Sequence, residues 1–178
     1  MKTIQYFALI IFVLTAGKVS AQQISSAELQ VTGLTCSMCS QATEKSLRTL
    51  DFVKNVEPDL NRNVFVLSFD AGKRVNLDKI ADKVQDAGFS VGNLAATFNF
   101  NQVKVDPSGK ALAGSEVYHF VNAKNKVLNG KVKASVVDKG FISNAEYKKK
   151  AAEVKSEAYK SGYAMVNGKR TRVYHLSI

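Results

Sequence analysis

The sequence predicts an α+β fold, and three observations carry that reading. Several short runs alternate apolar and polar residues, as half-buried strands do. Three longer stretches place apolar residues at helical spacing. In the first half the two patterns interleave in the order β-α-β-β-α-β, with turn-forming residues between them.

Taken in order, Ala27 to Thr32 alternates through Leu29 and Val31 and predicts the first strand. Ser37 to Leu50 predicts a helix, with Cys39, Thr43, Ser46, Leu47 and Leu50 on one face. Phe52 to Glu57 and Val64 to Phe69 read as strands around the turn Asp59-Leu60-Asn61-Arg62-Asn63. Asn76 is a good helix N-cap, followed by the apolar stripe Leu77, Ile80, Ala81, Val84 and Ala87. Gly88 stands where the helix needs a residue tolerant of positive φ. Phe89 to Phe98 completes the set as a strand. This order is that of a ferredoxin-like β-α-β-β-α-β sandwich, two helices over one face of an antiparallel sheet.

The second half predicts a small strand-rich α+β domain with one helix. Gln102 to Val105 and Glu116 to Asn122 read as strands, parted by the turn Asp106-Pro107-Ser108-Gly109. Lys131 to Val137 alternates as another strand. Ser143 and Glu146 have capping-box spacing before a helix through Tyr147, Ala151, Val154 and Ala158 that ends by Gly162. Tyr163 to Val166, the hairpin signal Asn167-Gly168 and Arg172 to Ile178 close the chain. An OB-type barrel is one arrangement compatible with this order.

Residues 1–21 set the expected location. Lys2 precedes a 13-residue apolar run from Ile4 to Ala16, and Val19-Ser20-Ala21 offers small residues for cleavage. The run is shorter than the roughly 20 residues a bilayer-spanning helix needs. A cleaved signal peptide is expected, and with it a periplasmic or extracellular protein made of residues 22–97 and residues 98–178. Charge divides these halves. Residues 22–96 carry 8 Lys/Arg against 9 Asp/Glu, and residues 97–178 carry 15 against 6. No linker-like composition marks the boundary, so the halves are expected to pack closely or to share a strand.

Cys36 and Cys39 are the only cysteines in 178 residues. A bridge between them would close a tiny loop and add little stability, so reactivity or metal ligation is the better reason for the pair. Cys36 falls in the loop before the first helix and Cys39 in its first turn. There the unpaired N–H groups and the positive end of the helix dipole favour thiolates. Two soft thiolates with no histidine nearby suit a low-coordinate soft cation, with Cu(I) the leading candidate. Zn(II) wants about four ligands, which one chain does not supply at this place. Redox chemistry stays open, because a CxxC pair at a helix start also serves thiol–disulfide exchange.

Gly33-Leu34-Thr35-Cys36-Ser37-Met38-Cys39, then Glu44-Lys45-Ser46-Leu47, then Asp86-Ala87-Gly88-Phe89 resemble the heavy-metal-associated domain family, whose copper chaperones and mercury-binding periplasmic members share the Gly-Met-Thr-Cys-x-x-Cys frame. The resemblance covers residues 27–97. It implies the sandwich fold, Cys36 and Cys39 as metal ligands, Phe89 in a loop near the metal, and a carrier in place of an enzyme. It also implies partners that donate or accept metal, such as a membrane transporter, and it makes a metal-sensing adaptor for such a transporter an alternative role. Leu34 replaces the usual Met, and Thr43 stands where a β-branched hydrophobe is usual. Thr35, where zinc-handling members often carry an acid, tilts the expectation to copper. The mercury-binding members keep Hg(II) open.

Met38 offers a thioether beside the cysteines, but its position usually faces solvent in the family. Met165 falls in an alternating strand, as core or surface filler. His119 and His175 each follow a tyrosine in a strand, so they meet across a sheet as a metal pair or pH switch, or stand as partly exposed strand residues. The basic second half, with Lys148-Lys149-Lys150, reads first as solvated surface and second as a docking face for a membrane or an acidic partner. Export and the lack of an aromatic-interleaved RNA-binding strand argue against nucleic acid.

Overall fold

The structure is a computed structural model that describes residues 23–59 and 61–178. The signal peptide read in residues 1–21 lies outside them, as does Leu60 of the first hairpin turn. The elements run β1 (Ile24–Thr32), α1 (Ser37–Leu47), β2 (Val53–Asp59), β3 (Val64–Phe69), α2 (Leu77–Asp86) and β4 (Ser90–Val105). Then follow β5 (Lys110–Ala113), β6 (Glu116–Phe120), β7 (Lys126–Val136), α3 (Asn144–Val154), α4 (Glu157–Ser161), β8 (Tyr163–Val166) and β9 (Lys169–Ser177). The first six elements have the ferredoxin-like order.

Among the described residues the strands form one open sheet in the order β2-β3-β1-β4-β7-β9-β6-β5, with β8 hairpinned onto β9. The second half thus extends the sheet, and no OB-type barrel closes. All pairings are antiparallel except β6 with β9. β4 is the hinge of the arrangement. Two runs that the sequence separates, Phe89 to Phe98 and Gln102 to Val105, are one 16-residue strand. A bulge at Gln102, which takes φ +50°, lets the strand bend without ending. One flank of β4 pairs with β1 through Ser90 to Phe98, and the other pairs with β7 through Ala95 to Val105.

Burial follows the pairing. α1 buries Thr43 and Leu47; α2 buries Leu77, Ile80, Ala81 and Val84. These pack with Leu29, Leu67 and Leu94 of the sheet in a hydrophobic cluster that continues without a break into Phe98, Phe100, Tyr118, Phe120 and Leu176. Phe98 stacks on Phe100 at 5.6 Å, and Tyr118 meets both rings edge-on. A smaller cluster of Val137, Ile142 and Tyr159 lies beneath α3 and α4.

Local signals held where their chemistry is local. The Asn76 side chain accepts from the Lys79 N–H at 3.1 Å, and Ser143 accepts from Glu146 N–H at 3.2 Å. Gly88 takes φ +87° at the end of α2. Two helix lengths differ from expectation. α1 stops at Leu47, where i→i+3 bonds from Thr49 and Leu50 tighten the chain into a turn towards β2. The single helix expected after Ser143 breaks at Lys155, which adopts φ +46°. The break lets Tyr159 turn inward, stack on Tyr147 at 5.2 Å and donate its hydroxyl to the Val137 carbonyl.

Polar contacts also join the halves. Arg172 of β9 grips Asp78 of α2 with two bonds of 2.9 and 3.0 Å, and the Tyr174 hydroxyl donates to the same carboxylate at 3.0 Å. Arg74 pairs with Glu116. Glu28 of β1 binds Lys133 of β7 at 2.7 Å and Arg62 at 3.1 Å. The Lys133 hydrogen bond, ahead of the Arg62 charge, holds the Glu28 carboxyl below its ordinary 4.5. A depressed carboxyl stabilises the fold above its unfolded pKa, and that contribution fades as pH falls through the lower folded value. Stability should therefore drop with acid below about pH 4.5. Glu28→Gln should reduce the slope of unfolding free energy against pH in that window, as read by urea titrations at pH 5, 4 and 3.

Candidate metal centre

The loop between β1 and α1 is built for close approach. Gly33 takes φ +92°, a region side chains rarely adopt, and the Phe89 ring lies against it, 3.5 Å from where a β-carbon would stand. Phe89, expected near the metal loop, thus supports the loop from beneath. Leu34 is half-buried against the main core, so the apolar character of this position is retained where Met is usual.

Cys36 is the N-cap of α1, with extended backbone at φ −146°. Its Sγ accepts from the Cys39 N–H at 3.2 Å, and its carbonyl accepts from Cys39 and Ser40 at 3.1 and 3.2 Å. Cys39 follows in the first turn, as expected. Cys36 is exposed and Cys39 half-buried, so one sulfur faces solvent while the other leans on the protein. The two are joined as a disulfide, with Cα atoms 5.3 Å apart. The cap folds the loop back over the first turn and brings both cysteines together. No acidic residue occupies the first turn, so nothing opposes negative charge on the sulfurs. Met38 is 72% exposed and points away, consistent with its expected solvent orientation. Thr43 is fully buried, and its hydroxyl donates to the Cys39 carbonyl at 3.1 Å. A polar residue is tolerated in the core because it bonds back one turn, and that bond ties the Cys39 backbone down.

The histidines do meet. His119 and His175 are register partners on β6 and β9, with ring centroids 5.0 Å apart. His119 is half-buried, but His175 has no exposed surface, against the expectation of a partly exposed strand residue. Its burial is made possible by Asp138, whose Oδ1 lies 2.7 Å from His175 Nδ1 and whose Oδ2 accepts from the His175 backbone N–H at 2.9 Å. Asp138 is the residue that reading the sequence missed. Its signal was a single acid after the apolar strand end Val136-Val137. Burial, and then the neighbouring His175, hold His119 below its ordinary range. Burial, and then the Asp78 carboxylate, push Tyr174 far above its own. Met165 is exposed on β8, and Lys148 and Lys149 are exposed on α3, as a solvated face requires. Among the described residues no three His, Cys, Asp or Glu side chains gather as a metal cluster, and no helix is long and apolar enough to cross a membrane.

Known proteins resemble the first half. The heavy-metal-associated domain matches residues 28–90. The copper chaperone CopZ of Bacillus subtilis (strain 168) is 41% identical over 63 residues, covering 35% of this chain and 90% of the chaperone. The copper chaperone CopZ of Staphylococcus haemolyticus (strain JCSC1435) is 30% identical over 63 residues, covering 35% and 91%. Among solved structures, a CopZ metallochaperone shares 27% identity over 38% of this chain and 98% of its own, with a TM-score of 0.35. The loop, the capped helix and the sandwich around them coincide with the matched segment, and through it this chain belongs to the heavy-metal-associated domain family.

Proposed function

We propose that the chain is an exported carrier of a soft metal ion, Cu(I), held between Cys36 and Cys39, and that it is not an enzyme. The observation that carries this reading is the placement of both sulfurs at the cap of α1, one exposed and one backed by protein, on a segment similar to copper chaperones. Two cysteines with no further His, Cys, Asp or Glu gathered round them among the described residues suit a two-coordinate soft ion better than Zn(II). Hg(II) shares that preference and is the rival metal.

Loading requires the dithiol. A small thiol or a dithiol reductant attacks the exposed Cys36–Cys39 bond. Exchange reduces both cysteines and leaves the reductant oxidised as its own disulfide. Cu(I) then displaces one proton from each thiol, and the helix terminus stabilises the resulting negative charge. A partner thiolate adds to the open ion and one of the two cysteines leaves, regaining a proton. The ion passes on without becoming free. A metal donor, or a membrane transporter that accepts copper, has the chemistry to be that partner, with the basic second half as its docking face. Residues 1–21 support export to the periplasm or the cell exterior.

Anaerobic titration of the reduced chain tests the reading. The chain should take up one equivalent of Cu(I) more than its Cys36→Ser/Cys39→Ser variant; equal uptake would end the carrier assignment. The bridge seen between the cysteines favours one second reading, thiol–disulfide exchange as the activity itself. Catalytic turnover of a disulfide substrate, abolished by Cys36→Ser, would select it.

A further inference from the structure

The two histidines are arranged for a task that the cysteine loop does not need. His175 is fully buried, and its Nδ1 faces Asp138 Oδ1 at 2.7 Å. Asp138 Oδ2 already accepts the His175 backbone N–H, and Arg172 stands 3.7 Å away, so the carboxylate is the acceptor and Nδ1 carries the proton. In the neutral ring Nε2 is then the nitrogen without a proton, and it is buried with no hydrogen-bond partner. An unpartnered buried polar atom costs about 1–3 kcal/mol, which a site retains for a reason.

His119 is set up in the same way. Its Nε2 lies 3.0 Å from the Ser108 carbonyl, which can only accept, so Nε2 carries the proton and Nδ1 is bare. Each ring therefore gives its one N–H to an oxygen, a carboxylate for one and a backbone carbonyl for the other. That outer support is what metal-binding imidazoles have, because it fixes the tautomer and raises the basicity of the free nitrogen. The ring centroids are 5.0 Å apart on neighbouring parallel strands, a separation that one ion with bonds of about 2 Å can bridge. Tyr159 packs against His175 at 4.8 Å. A hollow of about 350 Å³, lined by Ser108, His119, Lys124, Lys150, Glu153 and Ser177, lies on the His119 side.

We propose that His119 and His175, with Asp138 and the Ser108 carbonyl as positioning groups, form a second copper site of nitrogen donors, separate from the cysteine loop. Two neutral imidazoles with no gathered third ligand suit low-coordinate Cu(I), a metal that accepts imidazole as well as thiolate. The site does not depend on the cysteine reading, and the two fail separately.

The test uses the Cys36→Ser/Cys39→Ser chain, titrated anaerobically with Cu(I) against a chromophoric competitor. It should bind one equivalent, and adding His119→Gln should bring uptake to none while the far-ultraviolet circular dichroism is unchanged. Because the chain has only two histidines, its ring C–H proton resonances are two sets, and both should shift in step with that one equivalent. If the double-serine chain takes up no copper, or His119→Gln leaves uptake intact, the proposal is overturned and the bare Nε2 is explained by a buried water. That outcome leaves the cysteine carrier standing. Uptake of one equivalent by both the double-serine and the unaltered chains removes the carrier and leaves this site.

Discussion

Replacing Phe98 with alanine is expected to destabilise the chain by about 3–5 kcal/mol. The side chain is fully buried, stacks on Phe100 at 5.6 Å and meets the edge of Tyr118 at 5.3 Å. Its removal loses the transfer free energy of the ring and leaves a cavity that sheet residues on both sides are held too rigidly to fill. The loss is a large share of the roughly 5–15 kcal/mol that stabilises an ordinary domain. Because Phe98 sits on β4, which pairs with both β1 and β7, the damage should reach both flanks. Tyrosine fluorescence reports the second flank, since every tyrosine of residues 22–178 lies beyond residue 117. Amide exchange in β1 and β3 reports the first. Urea midpoints should fall together by both probes; a drop confined to tyrosine fluorescence would refute the shared-core account.

Asp138→Ala should cost about 2–5 kcal/mol, for a different reason. Nothing large is removed. What remains is a fully buried histidine whose backbone N–H and ring Nδ1–H both lose their acceptor, each at about 1–3 kcal/mol. Arg172 keeps Asp78, so its charge stays paired. Asp138→Asn should fall between, because one amide oxygen can serve one donor while its NH₂ faces the other. Thermal and urea unfolding of the three proteins should rank them in that order, and Asp138→Ala within 0.5 kcal/mol of the unaltered chain would show that the pair contributes little.

The parts that were legible in the sequence are those whose causes are local. Asn76 and Ser143 cap helices because a side-chain oxygen reaches an N–H three residues on, a relation contained in a few letters. Val64 to Phe69 and Tyr163 to Val166 alternate because one face of each strand is wet. The Gly33 to Cys39 frame was readable because its residues are consecutive, while the positive φ of Gly33 and the capping role of Cys36 emerge only in the structure. The hidden parts are set by distant partners. Lys110 to Ala113 has a poor strand composition and becomes β5 only because β6 lies beside it. The gap between Phe98 and Gln102 looked like a break and is part of one strand bulged at Gln102, since β7 continues the ladder past it. The oxidised state of Cys36 and Cys39 has no letter code, because it depends on where the cap brings the sulfurs. The importance of Asp138 was invisible because its histidine is 37 residues away.

A ferredoxin-like sandwich standing alone would leave the far side of its last strand bare, a row of N–H and C=O groups ready to recruit a neighbouring molecule. Here β7 lies along that row from Ala95 onward. The added half therefore covers this edge of the first half, while β2 remains the outer strand on its other side. Trimming the chain at residue 97 would strip β7 from this edge and leave the end of β4 without its second neighbour.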